Sequence, residues 1–158
     1  MTSINIQCPF ARLHGQYNGN NTLVQLNIPK TAVIDDVTGM YENVFSDNVS
    51  LTAIELPDSI VLAGNGFLSG CATLKEIDLN AVSCLGSSWS EDENAGCLAR
   101  CTSLVRVVGR SVVEVKCRSA FANDGALRSV EFPAMNLAVL EAAIMQLELF
   151  GLGYAEDR

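Results

Sequence analysis

Apolar residues recur along this chain in short runs built on one template, a leucine, two variable positions, an apolar residue, two more positions and then proline or a polar residue. Five segments carry it: LVQLNIP (23–29), LTAIELP (51–57), LKEIDLN (74–80), LVRVVGR (104–110) and LRSVEFP (127–133). The leading leucines step by 28, 23, 30 and 23 residues, so the longer steps read as the same unit carrying insertions of 5 and 7. Other landmarks keep phase with them. Six residues before four of these leucines stand Phe45, Leu68, Leu98 and Phe121, and three residues before them stand Asn48, Cys71, Cys101 and Asp124. Fixed spacing of this kind is the signature of a repeat architecture.

The period predicts the architecture. A strand of four to six residues sends alternate side chains to opposite faces, so the template residues point inward and those between them point outward. One coil cannot bury its inward face alone, whereas stacked coils share a continuous aliphatic core. The expectation is a leucine-rich-repeat-like solenoid with a parallel strand ladder and short irregular or helical connections. Residues 23–133 form about five coils, and 1–22 form an N-terminal cap or arm. The Asn, Cys and Asp three residues before each leucine are small and can hydrogen-bond the backbone where the chain turns. Cys71 and Cys101 should therefore stack in successive coils, as a dry thiol ladder or a disulfide.

Residues 134–158 are expected to form a C-terminal capping helix and tail. Leu137, Leu140, Ile144 and Leu147 recur at helical spacing, with Asn136 suited to the N-cap and Gly151 to the position after the last turn. Such a helix would cover the last coil; its surplus of Leu149, Phe150 and Leu152 also suits self-association through the solenoid ends.

Composition narrows the function. The chain has 158 residues, 49% hydrophobic and 18% charged, with a formal net charge of -8. That balance disfavours nucleic acid, whose phosphates require clustered Lys and Arg. The stretch 136–153 is broken by Glu141, Gln146 and Glu148 and is too polar for a membrane span. The start lacks the charged and apolar regions of a secretory signal, which points to the cytoplasm, or to the cell surface if the chain is a fragment. Six cysteines without a C-x-x-C pair, and one distant His14, give no metal framework and are expected as reduced, mostly buried thiols. Neither His14 nor the Asp35–Asp36 pair assembles a catalytic constellation, and no cofactor or enzymatic activity is expected. The sequons Asn20–Thr22 and Asn48–Ser50 matter only in a secreted protein.

The candidate chemistry is therefore recognition. Outward strand positions run Gln25/Asn27, Ala53/Glu55, Glu76/Asp78, Arg106/Val108 and Ser129/Glu131. Parallel strands lie about 4.8 Å apart, so Glu55 and Asp78 are expected as neighbours, flanked by Glu76, in an acidic strip facing a basic protein partner. The insertion SSWSEDENAG (87–96) adds Trp89, the only tryptophan, beside Glu91, Asp92 and Glu93. The candidate partner-binding set is Asn27, Glu55, Glu76, Asp78, Trp89, Arg106, Val108 and Glu131.

The segment LTAIELPDSIVLAGNGFLSGCATLKEIDL (51–79), and VEVKCRSAFANDGALRSVEFP (113–133) after it, resemble leucine-rich repeats of the BspA type. The family unit runs L-x-x-I-x-(I/L)-P-x-(S/G)-V-x-x-I-G-x-x-A-F-x-x-C. LVRVVGR lacks its proline, and Asn48 and Asp124 replace its cysteine. The resemblance implies a recognition module and, in many members, cell-surface adhesion.

Overall fold

In a computed structural model of the chain, the described residues are 3–8, 12–14, 17–35, 40–87, 96–117 and 119–136. The expected C-terminal helix over 136–150 lies outside them apart from Asn136.

The described chain winds as a solenoid whose coils have three sides. The first side carries the template strands. β1 (Ser3–Asn5), β3 (Gln25–Asn27) and β5 (Ala53–Glu55) pair in parallel, as do β7 (Glu76–Asp78), β9 (Arg106–Val108) and β11 (Ser129–Glu131). Leu26, Ile54, Ile77 and Val107 at the strand centres are buried, and the residues beside them are mostly exposed, which is the alternation that the template encodes. β1 arises within the segment expected as a cap or arm, and its residues Ser3, Ile4 and Asn5 register with Gln25, Leu26 and Asn27.

The second side is a shorter ladder. β2 (Arg12–His14) pairs with β4 (Val33–Asp35), and β6 (Leu62–Ala63), β8 (Cys84–Leu85) and β10 (Glu114–Val115) pair in parallel. Four tight turns join the two sides, made by the Ala32, Ile60, Val82 and Val112 amides donating to the Pro29, Pro57, Leu79 and Gly109 carbonyls. Proline suits these turns because its fixed φ preorganises them.

The third side has no strands but is bonded coil to coil. The Phe45 amide donates to Phe67 O at 2.9 Å, Leu68 to Cys97 O at 2.7 Å, and Leu98 to Ala120 O at 2.9 Å. Here Phe45, Leu68, Leu98 and Phe121 enter one aliphatic core with the strand leucines. Phe45 packs edge-on against Phe67 with centroids 5.3 Å apart. The residue four before each strand leucine has positive φ in all five coils: Gly19, Asp47, Gly70, Arg100 and Asn123. That left-handed residue swings the chain from the third side into the next strand.

Candidate functional site

The small polar residues three before the strand leucines form a hydrogen-bonded column down the core. Asn48 Nδ2 donates to Tyr17 O at 2.8 Å and Phe45 O at 2.9 Å, and its Oδ1 accepts the Asn20 amide at 3.1 Å. One coil on, Cys71 Sγ donates to Phe45 O at 3.3 Å, and in the next Cys101 Sγ donates to Leu68 O at 3.2 Å. The Cys71 amide in turn faces the Cys101 sulfur, so the two cysteines do stack. Both thiols are unpaired. Burial pushes the Cys71 thiol up to about 12 and raises Cys97 and Cys101 well above the ordinary value, so all three are neutral near pH 7. The column is structural, and its thiols are too buried and too protonated to act as nucleophiles.

The outward strand face has a different character. Among the described residues no ladder joins β5 to β7, so the first side consists of two triplets rather than one sheet. Side chains bridge the break instead. Thr73 Oγ1 donates to Val49 O at 3.0 Å and Leu51 O at 2.9 Å, and Asn80 Nδ2 donates to Leu56 O at 2.9 Å. Glu55 and Asp78 are thus not register neighbours, as a continuous ladder would make them. Both line a shallow cleft of about 230 Å³ with Lys30, Ile54, Leu56 and Asn80.

A second cleft, of about 220 Å³, lies between β7 and β9, lined by Glu76, Ile77, Asp78, Arg106, Val108 and Arg110. Asp78 belongs to both clefts. Its Oδ1 accepts the Asn80 amide at 2.9 Å and its Oδ2 accepts Arg110 Nη1 at 3.0 Å. Burial pushes this carboxyl up, but the Asn80 amide and the Arg110 and Lys30 charges outweigh it and hold it below the ordinary carboxylate value. Arg106 donates through Nε and Nη2 to Glu131 Oε1, both at 3.1 Å. Glu55 and Glu76 have no ion-pair partner among the described residues. The face is therefore mixed in charge rather than an acidic strip, because arginines of the fourth unit pair with one carboxylate in the unit before and one in the unit after.

The expected residues divide on these contacts. Glu55, Glu76, Asp78, Arg106 and Glu131 are exposed on this face, and Asn27 is half-buried at its edge, in register with Glu55 and accepting Gln25 Nε2 at 3.2 Å. Val108 does not present itself outward. It is 7% exposed, held in register between Asp78 and Glu131, and lines the second cleft together with Arg106 and Arg110. Trp89 lies outside the described residues, as do the side chains of His14 and Asp35 and all of Asp36. Sequence reasoning missed Arg110, Lys30 and Asn80. All three sit at or just past the last template position, where the pattern marks a turn and says nothing of which way a long side chain returns.

The described residues contain no group of three His, Cys, Asp or Glu side chains able to hold a metal ion. No helix among them is long and apolar enough to cross a membrane.

Residues 17–147 match six copies of the BspA type leucine rich repeat region. Among solved structures, the chain is similar to a leucine-rich cell surface protein of Faecalibacterium prausnitzii, at 20% identity and a TM-score of 0.68. The likeness covers 90% of this chain and 35% of that protein, so the chain spans about a third of the neighbour's length. No curated protein matches it. The repeat match covers most of the chain and agrees with the stacked coils and their cysteine column, and the protein belongs to the BspA-type leucine-rich repeat family.

Proposed function

We propose that this chain is a non-catalytic protein-interaction module that binds a protein partner through its outward strand face. The observation that carries the reading is the pair of adjoining shallow clefts sharing Asp78, lined also by Glu55 and Glu76, which have no ion-pair partner among the described residues. A rigid, polar, gently grooved surface on stacked coils suits an extended or loop segment of a partner. Glu55 and Glu76 would meet cationic groups, while Arg106, Arg110 and Lys30 would take carboxylates, so the favoured partner alternates in charge. Asn27 and Glu131 would mark the edges, and Trp89 would add an apolar anchor from the insertion. Val108 would support the second cleft from beneath.

The family and the cell-surface neighbour support recognition, and they favour adhesion at a cell surface as the setting over the cytoplasm expected from the first residues. The decisive experiment captures partners with the wild-type chain and with a Glu55→Lys, Glu76→Lys variant of equal thermal stability, identifying what is retained by mass spectrometry. Partners lost by the variant alone support the reading. An unchanged partner set would place binding elsewhere.

A further inference from the structure

Asp124 is 0% exposed and stands three residues before Leu127, in the column of Asn48, Cys71 and Cys101. Each of those three side chains donates a proton to a carbonyl of the preceding coil. Asn48 Nδ2 reaches Tyr17 O, Cys71 Sγ reaches Phe45 O and Cys101 Sγ reaches Leu68 O. For the two cysteines the acceptor is the residue six before the previous strand leucine, and the equivalent for Asp124 is Leu98.

Asp124 Oδ1 accepts the Cys101 amide at 2.7 Å, while Oδ2 is buried and receives no hydrogen bond. Among the described residues the titratable groups facing it are the Cys97 and Cys101 thiols, which carry no charge near neutrality. The neighbouring cation Arg128 is directed away, onto the carbonyls of Gly125 and Leu127. Among the described residues an ionised carboxylate here would keep one hydrogen bond and find no countercharge, which a protein interior strongly disfavours. A carboxylic acid supplies as O–H the donor that the other rungs supply as N–H or S–H.

We infer that Asp124 is a neutral carboxylic acid whose Oδ2–H bonds the Leu98 carbonyl, and that loss of this proton unlatches the Asp124 turn from the Cys101 turn. Burial pushes Asp124 up to about 9, against the smaller lowering by the Cys101 amide. A carboxyl raised in the folded state gives stability that is complete below its unfolded value of about 4 and is lost as pH rises through about 9. The latch is therefore closed in acid and open in alkali.

Equilibrium unfolding of the whole chain from pH 4 to 10 tests this against Asp124→Asn, which keeps the shape and a donor but does not titrate. The wild-type unfolding constant relative to the variant should rise by up to tenfold per pH unit and level off above about pH 9. Infrared difference spectra at pH 7 should show the carbonyl stretch of a protonated carboxyl in wild type and not in Asp124→Asn or Asp124→Cys. A pH-independent ratio, or no such band, would overturn the proposal. If neither variant folds, the wild-type band decides, since it must be present at pH 7 and vanish above about pH 9.

Discussion

Arg100 Nη2 reaches Asp47 Oδ1 at 3.2 Å by passing over Gly70, the equivalent turn residue of the coil between them. All three have positive φ, and a Cβ on Gly70 would collide with the Asp47 carboxylate and press on the guanidinium. Arg100 Nη2 also donates to Ser69 Oγ at 3.1 Å, so one arginine ties three coils. Two different costs follow, and they can be separated. Gly70→Ala should destabilise the chain by about 1–3 kcal/mol, from backbone strain plus displacement of the ion pair. Arg100→Ala should cost under about 1 kcal/mol, because both charged partners are substantially exposed. Urea unfolding of the two variants checks the order; an Arg100 effect as large as that of Gly70 would contradict it.

The column residues should exchange with one another better than with alanine. Asn48→Ala strands the Tyr17 carbonyl and the Asn20 amide and leaves the Phe45 carbonyl only the Cys71 thiol, at an expected cost of about 1–3 kcal/mol. Asn48→Cys restores one donor and the small size used by Cys71 and Cys101, and should recover part of that loss. Thermal denaturation compares them, and equal losses would mean that the column acts by volume alone.

Thiol reactivity should follow depth. Cys8 is exposed, Cys84 is half-buried with its thiol raised by burial and by Glu114, and Cys71, Cys97, Cys101 and Cys117 are buried. A disulfide reagent at pH 8 should label Cys8 rapidly, Cys84 slowly and the other four only upon unfolding. Early labelling of Cys71 or Cys101 in native protein would mean that the third side opens without global unfolding.

Asp78 should titrate below an ordinary aspartate, and Arg110→Ala should move its midpoint upward in an NMR pH titration. The sign is the reverse of that for Asp124. A depressed carboxyl contributes stability above its unfolded value of about 4 and loses it as pH falls through the folded one. The contribution is small because the Asp78 side chain is 59% exposed. An unmoved midpoint in the Arg110 variant would mean that the Asn80 amide and the Lys30 charge hold Asp78 down without Arg110.

Much of this architecture was legible in the residues because a solenoid is local. Each coil touches its neighbours at a fixed offset, so the strand leucines, the inward Phe45 and Leu68 and the column of Asn48, Cys71 and Cys101 all leave a periodic trace. The left-handed turn was also written there, since Gly19, Asp47, Gly70, Arg100 and Asn123 share one spacing, but Arg at such a position hides the signal. The site was less legible. Val108 occupies an outward position by alternation and is nevertheless 7% exposed, because burial on an open face depends on where the long side chains around a position lie, which alternation does not specify.

By itself the amino-acid sequence determined the repeat, its inward residues, the stacked thiols and a family resemblance, for period and side-chain size are enough to specify how coils pile up. Only the tertiary structure decided where the strand face breaks, which carboxylates Arg106 and Arg110 pair with, and that Asp124 Oδ2 is buried with no hydrogen bond among the described residues. Those outcomes depend on side-chain reach across coils and on the balance of solvation and pairing at each charge, and a periodic pattern carries neither.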